Sequence, residues 1–249
     1  MNIKRLFSWQ MVMGIVLIAM SIIVYYIHYL IFRDARHIFL YLIGDIAFVF
    51  IEVLLVTLVL HGLLSYREKK ALLKKLNMVI GAFFSEVGTE LIKIVSKFDS
   101  DSVGISKDLI VTKAWSDKEF SKMKIRTLGY RGKIDLNRSD LEALRDFLVK
   151  KRAFLLTLLE NPNLLEHETF TNLLWAVFHL TEELLSRKSL KNLHEKDREH
   201  LVGDINRAYT LVVVEWLSYM NHLSRDYPYL FSLAMRTNPF DADASVEIK

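Results

Sequence analysis

Hydrophobic residues run without a formal charge from residue 11 to residue 32 (MVMGIVLIAMSIIVYYIHYLIF). A break at Arg33, Asp34, Ala35, Arg36 and His37 follows, and the chain is apolar again from 38 to 64, with only Asp45 and Glu52 charged. A helix needs about 20 apolar residues to cross about 30 Å of hydrocarbon. Both stretches reach that length, which predicts a transmembrane helical hairpin with spans at about 11–32 and 38–64.

Beyond residue 65 the period changes. Leu72, Leu76, Val79, Phe83, Val87, Leu91, Ile94 and Phe98 recur in steps of three and four, the stripe of an amphipathic helix that continues the second span. Lys74, Lys75, Glu86, Glu90 and Lys93 lie away from it, and these charges exclude a third span at 78–96. Gly81, Ser85 and Gly88 form a line of small residues that permits close helix approach. Residues 99–137 lose the pattern; Asp99, Ser100, Asp101, Ser102 and Gly104 are turn formers, and a loop or mobile region is expected, with a weak strand signal at 109–112. Within it Ser116 and Glu119 match a capping box, and Ser139 and Glu142 match a second one that opens a helix to about Glu160. Asn161, Pro162 and Asn163 end that helix.

Two more helices are expected, at about 165–187 and 195–223. Leu173, Leu174, Val177, Leu180, Leu184 and Leu185 face inward on the first; Ile205, Tyr209, Val212, Val213, Trp216 and Met220 do so on the second. A short helix at 229–235 follows Asp226, Tyr227 and Pro228. The fold class is all-α: an N-terminal transmembrane hairpin, 1–65, continuing into a cytoplasmic helical bundle, 66–249.

Charge fixes the expected orientation. The chain has 249 residues and a net formal charge of +4. Arg67, Lys69, Lys70, Lys74 and Lys75 follow the second span, with Lys4 and Arg5 ahead of the first, against Arg33 and Arg36 in the turn. The positive-inside rule places both termini in the cytoplasm of a multi-pass inner-membrane protein. The basic cluster is assigned to lipid headgroups, so the pI near 9.1 does not argue for nucleic acid. Lys4 and Arg5 also resemble a signal-peptide n-region, but the first apolar run exceeds the ~7–15 residues of an h-region and no small-residue cleavage site follows, so a retained anchor is expected. The absence of cysteine removes disulfides, thiolate zinc sites and thiol catalysis.

Asp45 and Glu52 are the sharpest candidates for chemistry. Two helical turns apart, they share a face. A charge at mid-bilayer costs at least ~2.5–3.5 kcal/mol, so each acid is neutral, paired or facing water. One reading is a hydrogen-bonded contact between copies in a homo-oligomer; the other is an ion or proton path in an oligomeric channel. In an antiparallel hairpin Tyr25 or Tyr26 is level with Asp45 and is placed to hydrogen-bond it. His28, His37 and His61 read as interfacial residues beside Trp9, Tyr25, Tyr26, Tyr29 and Tyr41.

In the cytoplasmic part, His179 precedes Glu182 and Glu183 by one turn, with His167, His194 and His200 as further possible ligands of a metal-dependent enzyme. Paired Glu-x-x-His motifs and His-Glu-x-x-His are absent, which favours a surface His–Glu contact; no metal and no cofactor are expected. Phosphate-binding and nucleophile-elbow motifs are missing too, and Trp115, Trp175 and Trp216 are expected in the core, so no catalysis is expected. The reading that remains is a two-pass membrane protein whose helical domain binds a cytoplasmic partner or couples a signal.

Residues 33–48 (RDARHIFLYLIGDIAF), 76–88 (LNMVIGAFFSEVG), 174–180 (LWAVFHL) and 227–240 resemble bacterial conserved-hypothetical inner-membrane proteins with two spans. The resemblance implies the hairpin architecture and carries no activity or site residue.

Overall fold

The structure is a computed structural model that describes residues 3–162, 164 and 167–247. The side chains of 3–8, 10, 69–74, 102 and 103 lie outside the described residues, and with them those of Lys4, Arg5, Lys69, Lys70, Leu72 and Lys74; Asn163, the expected helix start at Leu165 and the last residue, Lys249, are outside as well. The chain divides into two compact units, Met1–Lys69 and Lys70–Lys249.

In the first unit α1 (Ile3–Phe32) is followed by α2 (Ala35–Phe83), which also enters the second unit. The break expected over five residues narrows to two. Arg33 takes a left-handed φ of 48° and donates its N–H to the Tyr29 carbonyl (2.8 Å). Asp34 Oδ1 accepts the N–H groups of Arg36 (2.9 Å) and His37 (3.2 Å), so Asp34 caps α2 and the helix begins earlier than the hydropathy suggests. The apolar stretches 11–32 and 35–68 bury none of their residues within the structure.

The second unit holds the core. It contains the end of α2, a π-helical turn (Phe84–Gly88), α3 (Thr89–Ser96), α4 (Ser102–Asp108), α5 (Asp117–Gly129), α6 (Leu141–Leu159), α7 (Glu168–Ser186), α8 (Glu195–Asp226) and α9 (Pro228–Arg236). α8 packs against α3, α5, α7 and α9, and α6 packs on the other side of α7. Leu148, Leu155, Phe170, Leu173, Val177, Leu180, Ile205, Val212 and Leu217 fill the space between them.

The expected helix from Arg67 to Phe98 is interrupted by the π turn. Neighbours on an α-helix diverge by about 100°, so Phe83 and Phe84 do not share one narrow stripe. Here both are buried: Phe83 meets Phe170 edge-on (ring centroids 5.3 Å apart) and Phe84 stacks on Tyr219 (5.1 Å). A Cβ on Gly88 would lie 2.5 Å from Phe84 Cδ1 and 2.9 Å from Phe83 Cε1, so glycine is what fits under the rings. Of the small-residue line, Gly81 does face another helix, at Tyr219, whereas Gly88 accommodates aromatic rings of its own segment.

The region expected to be loose is pinned. Asp99, 1% exposed, accepts the Tyr130 hydroxyl on Oδ2 (2.6 Å) and the N–H groups of Lys133 (3.0 Å) and Asp101 (3.1 Å) on Oδ1. The Asp135 N–H donates to the Phe98 carbonyl (2.9 Å), and Asp99 and Ile134 form an isolated bridge, the β-type pairing present among the described residues. The strand expected at 109–112 is absent: Leu109 ends α4, and its carbonyl accepts from the buried Asn238 amide (3.0 Å).

The capping box at Ser116 and Glu119 is present. At the next helix the cap moves by one residue: Asp140, not Ser139, accepts the N–H groups of Glu142 (2.8 Å) and Ala143 (3.3 Å). Trp216 is buried against Phe240 and Trp115 packs on Phe120, but Trp175 is 56% exposed and Leu185 44%, against expectation.

Candidate functional site

α7 and α8 run antiparallel with a register that the polar pairs define. Arg187 meets Asp197, Glu183 meets His200, and His179 meets Asp204. On each helix the two central residues are four apart and so share a face: His179 and Glu183 on α7, His200 and Asp204 on α8. Four side chains thereby converge on one spot. His200 Nε2 lies 3.2 Å from Asp204 Oδ2 and 3.6 Å from Glu183 Oε2; His179 Nε2 lies 3.4 Å from Asp204 Oδ2 and 3.8 Å from Glu183 Oε1.

The surroundings fix the carboxylates. Asp204 is 4% exposed, yet its Oδ2 makes no hydrogen bond, while its Oδ1 stands 3.6 Å from Arg207. Arg187 donates to Glu183 Oε2 (2.7 Å), to the Glu183 carbonyl (2.5 Å) and to both oxygens of Asp197 (2.6 and 3.2 Å). Those hydrogen bonds hold Glu183 below the ordinary carboxylate range against the opposing effect of burial, with the charges of Arg187, His179 and His200 adding to the shift. Asp197 is lowered chiefly by its hydrogen bond to Arg187, and Arg187 is raised chiefly by the same contact. The two imidazoles are half exposed, so the cluster opens to solvent on one side.

The sequence pointed to His179 and Glu183 and missed Asp204. Glu182 is drawn the other way, to Arg152 of α6 (2.6 Å), whose guanidinium lies over Phe178. His167 instead caps α7, its Nδ1 accepting the Phe170 N–H (3.3 Å), and His194 stands at the start of α8 without a side-chain cap. The Glu-x-x-His pattern does not describe this arrangement, which uses His-x-x-x-Glu and His-x-x-x-Asp on neighbouring helices. Two such pairs in consecutive helices are the signal that was available.

In the first unit Asp45 and Glu52 are exposed on α2, and no hydrogen bond joins Asp45 to Tyr25 or Tyr26. A groove near the turn is lined by Ser21, Tyr25, His28, His37 and Tyr41 together with apolar residues of α1; neither acid borders it. The His28 and His37 rings stand 5.9 Å apart and His37 packs on Tyr41 (4.6 Å), while His61 is exposed elsewhere on α2. Arg67 and Lys75 are exposed.

Residues 72–236 match the family described as "Uncharacterized protein MJ1433, C-terminal helical domain", and residues 3–64 match "MJ1433, N-terminal helical domain". The chain belongs to the MJ1433 family. It is 48% identical over 242 residues to "Uncharacterized protein MJ1433" of Methanocaldococcus jannaschii, an alignment that covers 97% of this chain and 96% of that protein. The relative is archaeal, which corrects the likeness to bacterial inner-membrane proteins. No solved structure matches the chain.

Proposed function

We propose that this MJ1433-family chain is a two-pass protein of the cytoplasmic (inner) membrane, with both termini on the cytoplasmic side and a helical domain that binds a partner or couples a signal there. The observation that carries the reading is the exposure of the apolar helices. Ile18, Val24, Phe48, Phe50, Leu54 and Leu60 are each more than half exposed. Continuous apolar surface of this extent marks contact with lipid or protein.

Magnitudes favour insertion of the second helix despite its acids. Residues 38–64 contain nineteen Leu, Ile, Phe and Val. At ~0.3–0.6 kcal/mol each they favour the bilayer by roughly 6–11 kcal/mol, against roughly 5–7 for two acids if both sat at the centre. Hydrogen bonding of Asp45 and Glu52 to a second copy would lower that cost, and for this reason the proposal includes a homo-oligomer. A cleaved signal sequence would account for α1 but not for the second apolar stretch behind it. No catalysis is proposed.

Arg67, Lys69, Lys70, Lys74 and Lys75 set the orientation in this reading, each worth ~1 kcal/mol near an anionic leaflet. Topology reporters fused at Asp34 and after Lys249 test it. Asp34 should report the outer face and the C-terminus the cytoplasm; a C-terminal reporter on the outer face inverts the hairpin and removes the headgroup assignment.

A further inference from the structure

The cluster between α7 and α8 has donors of the right type and spacing for a metal. Zinc takes nitrogen at about 2.0–2.1 Å and carboxylate oxygen at about 2.0–2.2 Å. The edge of a regular tetrahedron is about 1.63 times the centre-to-corner distance, so donors of a tetrahedral site stand roughly 3.3–3.6 Å apart for those bond lengths. Asp204 Oδ2 stands 3.2 and 3.4 Å from the two imidazole nitrogens, and the Glu183 carboxylate faces them with one oxygen each, Oε2 3.6 Å from His200 and Oε1 3.8 Å from His179. His179, Glu183 and His200 each offer a donor atom within 4.8 Å of the other two. Asp204 is the independent observation: a carboxylate oxygen inside the protein, aimed between two imidazole nitrogens and hydrogen-bonded to neither. Burying such an oxygen without a hydrogen-bond donor is costly, and a cation between the rings offsets that cost.

We propose that His179 Nε2, His200 Nε2, Asp204 Oδ2 and the Glu183 carboxylate bind one divalent transition-metal ion of the zinc class and clasp α7 to α8. Two imidazoles select against magnesium and calcium, which prefer all-oxygen shells. Two carboxylates balance the ion's charge. Arg187, tied to Asp197, orients Glu183 from behind, as outer-shell partners orient ligands at metal sites. Four protein donors complete a tetrahedral shell, which is the pattern of a structural site and not of one that keeps a position open for substrate.

The test uses the full chain in detergent, without a histidine tag, stripped with chelator and titrated with zinc(II) or cobalt(II) alone. One equivalent should bind, with cobalt giving the visible absorption of a four-coordinate ion. Zinc at 100-fold above its Kd should raise the Tm of the helical domain by roughly 5–10 °C. His179→Ala, His200→Ala and Asp204→Asn should each weaken binding at least tenfold, and Arg187→Met by roughly 10–100-fold. His194→Ala, outside the cluster, should bind as the wild type does. The wild-type titration decides the matter even where a variant fails to fold: no saturable binding overturns the proposal and leaves the cluster as ion pairs that depend on histidine protonation. Binding that survives His179→Ala with His200→Ala in a folded double variant also overturns it.

Discussion

Gly88 and Gly81 lie two turns apart in one helical segment, and the same substitution should act on them in opposite directions. Replacing glycine by alanine in a helix gains about 0.8–1 kcal/mol at either position, mainly through the unfolded chain's lost freedom. At Gly81 nothing opposes that gain, because the nearest atom to a new Cβ is the Tyr219 hydroxyl oxygen at 3.4 Å, an ordinary contact. At Gly88 the new Cβ would stand 2.5 and 2.8 Å from two Phe84 ring atoms and 2.9 Å from the Phe83 ring. Neither ring is free to retreat, since Phe83 is wedged against Phe170 and Phe84 against Tyr219. Overpacking of this kind costs about 1–3 kcal/mol. The helix-propensity gain cancels in the comparison, so the cost alone separates the two variants. For a domain of this size 1 kcal/mol moves Tm by about 2–4 °C, which places Gly88→Ala roughly 2–12 °C below Gly81→Ala. Thermal unfolding of the full chain in detergent, followed by tryptophan fluorescence, reads the difference through Trp115, Trp175 and Trp216. If Gly88→Ala melts with or above Gly81→Ala, the rings do not press on Gly88 and the account of the π turn is wrong.

Two further substitutions test the polar features by the same melt. Asp140→Ala should lower stability by about 1 kcal/mol, the usual worth of an N-cap, while Ser139→Ala stays within ~0.5 kcal/mol of wild type; equal effects would return the cap to Ser139. Tyr209 is buried with its hydroxyl unpaired, and burial, followed by the charge of Asp99, raises it above its ordinary value of 10.0. A raised folded-state pKa contributes stability that is intact below pH 10 and is lost as pH climbs above it, because the unfolded chain ionises first. Tyr209→Phe should therefore be neutral or stabilising at pH 7 and should lose less stability than wild type between about pH 10 and 11; equal alkaline losses would mean that Tyr209 does not titrate in this window.

What was legible in the sequence was whatever a single helix decides alone. The apolar stretches 11–32 and 38–64 show their length directly, and the inward residues of α8 follow from a period of 3.6. Caps were less legible, since Ser139 and Asp140 are both good cap residues and the choice depends on where the helix is packed. The π turn left no period to read: its signature is two adjacent buried phenylalanines with a glycine four residues after the second, and that has meaning only once Phe170 and Tyr219 are known to lie opposite. Asp99 read as a turn former because its partners, Tyr130 and Lys133, lie more than thirty residues on.

The cluster on α7 and α8 shows the same limit at its sharpest. Glu182 and Glu183 are chemically identical neighbours, and the sequence offered both to His179. Their side chains point about 100° apart on the helix. Glu182 faces α6, where Arg152 takes it; Glu183 faces α8, where His200 stands. Which acid belongs to the site is therefore set by the helices packed on either side of α7, and neither local spacing nor residue type contains that information. Asp204 was missed for the complementary reason: it stands 25 residues beyond His179, and only the antiparallel register, with Arg187 opposite Asp197 and Glu183 opposite His200, brings its carboxylate to within 3.4 Å of the His179 ring.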